Sequence, residues 1–178
     1  MSAAERLMAV PADNVTALPT VGCPEAEAAV LGCLLLMTQV DADGLAMQLD
    51  VDDFTDPRHR AVFEAARDCL LDDTPADPVT VLGELRRTGL ERSMTADRSA
   101  GVFLAELLAA APAVVSAGHY ARVLVEHSFR RRLTVAADRL RQLAEAGSLE
   151  HAAEVAHAEW LALSDLHDRF TAGAEVTG

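Results

Sequence analysis

The 178 residues are 51% hydrophobic, and all fifteen basic residues are arginines, set against 28 acidic residues. This length suits one well-packed domain, and the net charge of −13 disfavours non-specific binding to DNA or RNA. Because the sequence has no lysine, it has neither a Walker A phosphate loop nor a residue for Schiff-base chemistry.

The beginning of the chain and its cysteines indicate a cytoplasmic protein. Residues 1–22 lack the basic segment, apolar core and cleavage site of a secretory signal, so we expect a flexible N-terminal arm. No apolar run approaches the roughly twenty residues that cross a membrane. Cys23, Cys33 and Cys69 form no CxxC pair, and we expect small buried thiols in a reducing compartment.

The first predicted helix covers PEAEAAVLGCLLLMTQ, residues 24–39, and has a glycine at its centre. A glycine inside a helix costs about 1 kcal/mol relative to alanine. At 100° per residue, Ala28, Ala29, Gly32 and Cys33 share one side, where such small residues allow another helix to approach closely. We interpret Gly32 as a packing glycine in the central helix of a globular head; a hinge or ligand contact is the alternative.

Aspartate followed by proline marks the next two helix starts. Asp56-Pro57 and Asp77-Pro78 each combine an N-cap residue with a proline in the first helical turn. Gly89 is expected to end the second of these helices.

Between and after these two helices, the pattern predicts shorter elements. A short helix is expected at 45–49, and Phe54 and Phe63 are expected to pack in the core of the head. A further helix carrying leucines should end at Pro112. No segment alternates with period two, so the predicted fold is all-α.

The last third of the chain predicts two long helices. From about Ser116 one helical pattern runs to Gly147, and after Gly147-Ser148 a second runs to about Phe170. Apolar residues recur along both at steps of three and four, which is typical of helices packed side by side. The predicted organisation is therefore a flexible arm (1–22), a compact helical head (23–115), a long antiparallel helical hairpin (116–170) and a flexible tail (171–178).

Such a hairpin covers only part of its apolar surface, so it either folds back on the head or meets a second copy. An arginine run, residues 130–132, adds a charged face that could bind a phosphate or a partner's carboxylates or simply face solvent; we favour the carboxylates over nucleic acid. The candidate interface residues are Phe129, Arg130, Arg131, Leu133, Leu140, Leu143, Trp160, Leu163 and Phe170.

Five blocks of sequence together resemble a known family. They read PEAEAAVLGCLLL, DDFTDPRHRAVFEA, PADPVTVLGEL, FLAELLAAAP and HYARVLVEHSFRRRL. In this order and spacing they are similar to the N-terminal domain of the bacterial replicative DNA helicase of the DnaB type, from about Pro24 to near Phe170. Two departures, Ala100-Gly101 in place of a glycine pair and AVVS after Pro112, affect local loops only.

The resemblance implies a DNA-replication role as part of the primosome. In that family hairpins pair between neighbours to build a collar on a hexameric ring, and primase docks there. The family's RecA-like ATPase motor is expected to be absent, so we expect a non-catalytic module. The implied partners are further copies of itself, as a dimer or higher oligomer, and primase or a full-length replicative helicase.

Two alternatives to a self-associating docking module remain. One is a motorless regulator that joins the ring of a full-length helicase, and the other is an unrelated all-α enzyme. The sequence offers no candidate catalytic, cofactor-binding or metal-binding residue: HExxH and GxSxG are absent, and no two of the six histidines lie four residues apart.

Overall fold

The computed structural model describes residues 23–93, 99–146 and 149–175. Every regular element in these ranges is helical, which confirms the all-α prediction. Short 3₁₀ helices cover Val51–Asp53, Leu90–Ser93 and Val114–Ser116. The α-helices are α1 (Pro24–Leu34), α2 (Gln39–Ala46), α3 (Pro57–Leu71), α4 (Pro78–Thr88), α5 (Ala100–Ala110), α6 (Ala117–Ala146) and α7 (Leu149–Glu175).

The prediction of one helix through residue 39 was wrong, because the first helix ends at Leu34. Thr38 has extended backbone angles, and its side chain accepts a hydrogen bond from Asp41 N, so it caps a new helix, α2. The run of leucines continues the apolar pattern across this break, which hid the cap. The short helix expected at 45–49 accordingly lies earlier, at Gln39–Ala46.

The aspartate caps of α3 and α4 and the glycine at the end of α4 are confirmed. Asp56 caps α3 through Arg58 N, and Asp77 caps α4 through Val79 N and Thr80 N. Gly89 ends α4 with a φ of 76°, a left-handed conformation that suits glycine. These signals act over only a few residues, which explains why the sequence reveals them.

Gly32 lies where α1 meets α5. A Cβ at this position would come within 2.3 Å of the Leu107 carbonyl oxygen and 2.8 Å of Ala111 Cβ. Both distances are shorter than a non-bonded contact allows. The close approach of the two helices therefore leaves no room for any side chain here. Phe54 and Phe63 are fully buried in the core of the head, with ring centroids 4.9 Å apart.

A buried carboxylate joins α1 to the start of α3. Glu27 is 0% exposed and accepts hydrogen bonds from Thr55 N at 2.9 Å and Thr55 Oγ1 at 2.5 Å. The other carboxylate oxygen, Oε2, accepts a hydrogen bond from Asp56 N at 3.3 Å and lies 2.8 Å from His59 Nδ1. Burial by itself raises the pKa of Glu27, but the hydrogen bonds from His59, Thr55 and Asp56 outweigh burial, so the pKa lies below its ordinary value.

This lowered pKa predicts a loss of stability in acid. A carboxyl whose folded pKa is depressed contributes its full stabilisation above the ordinary pKa, here 4.5, and loses it as pH falls through the folded value. We expect the unfolding free energy, measured by urea denaturation between pH 6 and 3, to fall below about pH 4.5. The unfolding free energy of the Glu27→Gln variant should fall less between pH 6 and 3. Equal slopes for the two proteins would contradict the assignment.

The helix at the end of the chain is longer than predicted, since α7 continues to Glu175 rather than stopping near Phe170. No proline follows Phe170, and two alanines favour continuation. The proposed flexible arm (1–22) lies outside the described residues, as do residues 176–178 of the proposed tail.

Candidate functional site: the helical hairpin

Helices α6 and α7 pack against each other as an antiparallel hairpin. Ala136 of α6 and Leu166 of α7 are 2% and 0% exposed. Contacts across the hairpin include Phe129 with His167, at 6.3 Å between ring centroids, and an ion pair between Arg139 and Glu159.

The base of the hairpin belongs to the core of the head. Ala121, Leu124 and Val125 in the first half of α6 are buried in the same hydrophobic cluster as α1 and α3. Leu166 of α7 joins this cluster. The hairpin is therefore anchored at its base, and its remaining turns extend away from the head.

Three arginines of the hairpin converge on the 3₁₀ helix Val51–Asp53 of the head, and we call this contact the aspartate brace. Arg131 Nη2 donates to the carbonyl oxygens of Asp52 at 2.5 Å and Asp53 at 3.3 Å. Arg132 Nη2 donates to the Asp52 carboxylate at 2.9 Å, and Arg169 Nη1 donates to the fully buried Asp53 carboxylate at 2.8 Å. Both hairpin helices are thus tied to one turn of the head.

The arginine run divides its contacts between two sides. Arg131 and Arg132 are part of the aspartate brace. Arg130 is exposed and pairs with Glu126 within α6 at 2.5 Å. Sequence reasoning missed Asp53 and Arg169. The acidic stretch Asp50–Asp53 was a signal for a basic partner, but nothing in the sequence identified which arginine would meet it.

An uncharged strip runs along the hairpin on the side away from Arg131 and Arg169, and we call it the apolar face. Leu133 is 47% exposed and Trp160 68% exposed, which is high for side chains of their size. Steps of three and four place the other members beside them at 100° per residue. The apolar face comprises Leu133, Ala137, Leu140 and Ala144 of α6, and Ala153, Ala156, Trp160 and Leu163 of α7.

The remaining predicted interface residues lie around this face or inside the hairpin. Phe129 and Leu143 are half-buried, as are Leu140 and Leu163 at the inner edge of the apolar face. The side chain of Phe170 lies outside the described residues. The helical step therefore places Leu133 and Leu140 on one side of α6, and Trp160 and Leu163 on one side of α7, whereas Arg131 contacts the head.

Two further chemical properties concern the described residues, 23–93, 99–146 and 149–175. No group of three or more histidine, cysteine or acidic side chains in them could hold a metal ion. No single helix there is long and apolar enough to span a membrane. One pair of segments, α5 and Val114–Glu145, is long and apolar enough when taken together, but the two are bent by 86° relative to each other.

Comparison with known proteins agrees with this architecture. The family described as DnaB-like helicase N terminal domain matches residues 22–126. The chain belongs to this family. The resemblance predicted from the five sequence blocks is thus confirmed.

The DnaB-type N-terminal fold is also found in a solved structure. The crystal structure of the N-terminal domain of DnaB helicase from Mycobacterium tuberculosis is 34% identical, with a TM-score of 0.67. The match covers 79% of this chain and 96% of that one.

Curated relatives carry the name replicative DNA helicase DnaB. The Mycobacterium leprae protein is 36% identical over 143 residues, which are 80% of this chain and 22% of that protein. The Haemophilus influenzae protein is 32% identical over 117 residues, which are 65% of this chain and 24% of that protein. The chain spans about a quarter or less of the length of these relatives.

Proposed function

We propose that this chain is a non-catalytic module of DNA replication that self-associates through the apolar face of its hairpin. The observation that carries the proposal is the uncharged strip on which Leu133 and Trp160 are 47% and 68% exposed. Contiguous apolar surface of this kind marks interaction sites, and a tryptophan is a frequent anchor of interfaces.

The spacing within the apolar face favours another helical pair as its partner. Along α6 the members follow steps of four, three and four, and along α7 steps of three, four and three. A second hairpin has the same pattern and the same small alanines, so two apolar faces can pack as a four-helix bundle. A second copy of the chain can therefore cover the apolar face without any additional partner.

The first experiment is a mass measurement by light scattering at concentrations from about 1 to 100 μM, the range in which an interface of standard size holds. A monomer has a mass of 18.9 kDa, and we expect at least twice this value at the upper concentrations. A mass that stays at the monomer value throughout would refute self-association.

We further propose that the same hairpin docks a replication partner, either primase or a full-length replicative helicase. Membership in the DnaB-type family and the names of the curated relatives support this partner class. The hairpin carries an exposed tryptophan, Trp160 at 68%, which is the only tryptophan in the sequence.

The partner experiment titrates this protein into unwinding and primer-synthesis assays with the helicase and primase of the same organism. We expect a change in either rate together with co-elution in gel filtration. We also expect no ATP hydrolysis by the protein alone, because it has no lysine to bind the phosphates. Unchanged rates and no co-elution would overturn docking and leave self-association as a separate result.

A further inference from the structure

We infer that the aspartate brace sets the angle between the head and the hairpin. Without the brace, the hairpin would change its angle to the head by bending at the base of α6. The inference concerns the orientation of the surface in the proposed function, but its test does not require that surface to pair. Asp53 and Arg169 are separated by 116 positions in sequence, so their contact joins two parts of the fold that are independent of each other locally.

The arrangement of the hairpin is what makes a brace necessary. Helix α6 runs without interruption from the core of the head to the tip of the hairpin, a length of 30 residues. Long helices curve gently rather than staying straight, so a small bend along α6 displaces the tip of the hairpin more than its base. The second helix, α7, returns to the head only near its end, where Leu166 enters the core and Arg169 meets Asp53.

The brace holds both helices at one level. Arg131 and Arg132 approach the turn from α6, and Arg169 approaches it from α7. Two attachments on different helices oppose rotation of the hairpin, which one attachment alone would permit. The turn itself is rigid, because Asp50 and Asp53 cap each other reciprocally, with Asp50 N donating to Asp53 Oδ2 at 2.8 Å.

The two ion pairs of the brace differ in their exposure to water. The Asp53 side chain is 1% exposed and that of Arg169 is 21% exposed, so solvent screens this pair weakly. The pair of Arg132 with Asp52 is 37% and 59% exposed, and salt weakens such a pair readily. Arg169 with Asp53 is therefore the part of the brace that holds the angle, and Arg132 with Asp52 supports it.

The test measures distances between spin labels in the full chain. Cys23→Ser removes the most accessible native thiol, and Met47→Cys with Glu154→Cys places one label on the head and one on α7. Labelled protein is diluted with unlabelled chain so that only distances within one molecule contribute. A second pair, Val135→Cys with Glu154→Cys, reports on the hairpin alone.

Three variants then decide the inference. We expect Arg169→Gln and Asp53→Asn each to broaden the head-to-hairpin distance distribution at least two-fold, while the pair inside the hairpin stays unchanged. Arg169→Lys, which keeps a positive charge, should restore part of the narrow distribution. Asp165→Asn is the matched control, because Asp165 is 81% exposed and lies 4.0 Å from Arg169 on the same helix.

A structural role without control of the angle would give a different result. Arg169→Gln and Asp53→Asn would then lower the melting temperature but keep the distribution as narrow as in the unmodified protein, and the inference would be wrong. If one of these variants fails to fold, the other decides. If both fail, Arg169→Lys gives the answer, because a single ammonium group cannot make both contacts of the guanidinium with the Asp53 carboxylate. A distribution broader than in the unmodified protein then supports the brace, and an unchanged distribution overturns it.

Discussion

Replacing Gly32 by alanine is expected to destabilise the protein, although alanine favours a helix by about 1 kcal/mol over glycine. The added Cβ would come within 2.3 Å of the Leu107 carbonyl oxygen, a backbone atom that cannot rotate away. Helices α1 and α5 would have to separate. Overpacking of this kind costs about 1 to 3 kcal/mol, so the net change in unfolding free energy, measured by urea denaturation, should be negative. Gly32→Leu should lower the unfolding free energy further.

Gly83 is the matched control for this prediction. It lies inside α4 with nothing within 4 Å of an added Cβ, so only helix propensity acts there. We expect Gly83→Ala to raise the unfolding free energy by about 0.5 to 1 kcal/mol. A gain of stability in both variants would mean that α5 does not approach Gly32 as closely as described.

The parts of the fold that could be predicted from sequence depend on chemistry acting over a few residues. Asp56 and Asp77 each meet backbone N–H groups two or three positions ahead, and Gly89 adopts a positive φ that other residues resist. The break before α2 uses the same chemistry, but its cap at Thr38 stands inside an apolar run. The apolar pattern and the cap gave opposite signals there, and the cap decided the structure.

The contacts that organise the head could not be predicted in the same way. Glu27 lies in an amphipathic pattern like many exposed glutamates, yet it is fully buried because Thr55 and His59 reach it from 28 and 32 positions away. The brace of Asp53 with Arg169 spans a longer separation still. Only the tertiary fold selects such pairs, since several acidic and basic residues compete for each role along the chain.

The hairpin shows the same limit at its surface. Steps of three and four along α6 include Leu133, Ala136 and Leu140, and the sequence assigns all of them to one seam. In the structure Ala136 faces α7 and is 2% exposed, while Leu133 lies on the flank at 47%. Periodicity identifies the apolar stripe of a helix, but the packing angle of its neighbour decides which edge of that stripe remains exposed.

That exposed edge leads to the prediction with the largest effect on assembly, the double substitution Leu133→Asp with Trp160→Asp. Both side chains are accessible in the single chain, so the change should leave the fold intact, as circular dichroism would show. In an assembly it would bury two unpaired carboxylates in each copy, and each would cost several kcal/mol. We expect light scattering to give only the monomer mass at concentrations where the unmodified protein is oligomeric.

The control for this prediction introduces the same charges on other sides of the same helices. Val135 and Leu161 are 54% and 56% exposed, and the helical step places both outside the apolar face. Val135→Asp with Leu161→Asp should therefore self-associate as the unmodified protein does, because its new carboxylates remain in water. Dissociation by both double substitutions to the same extent would show that added charge, rather than the apolar face, controls assembly, and another surface would then have to hold the copies together.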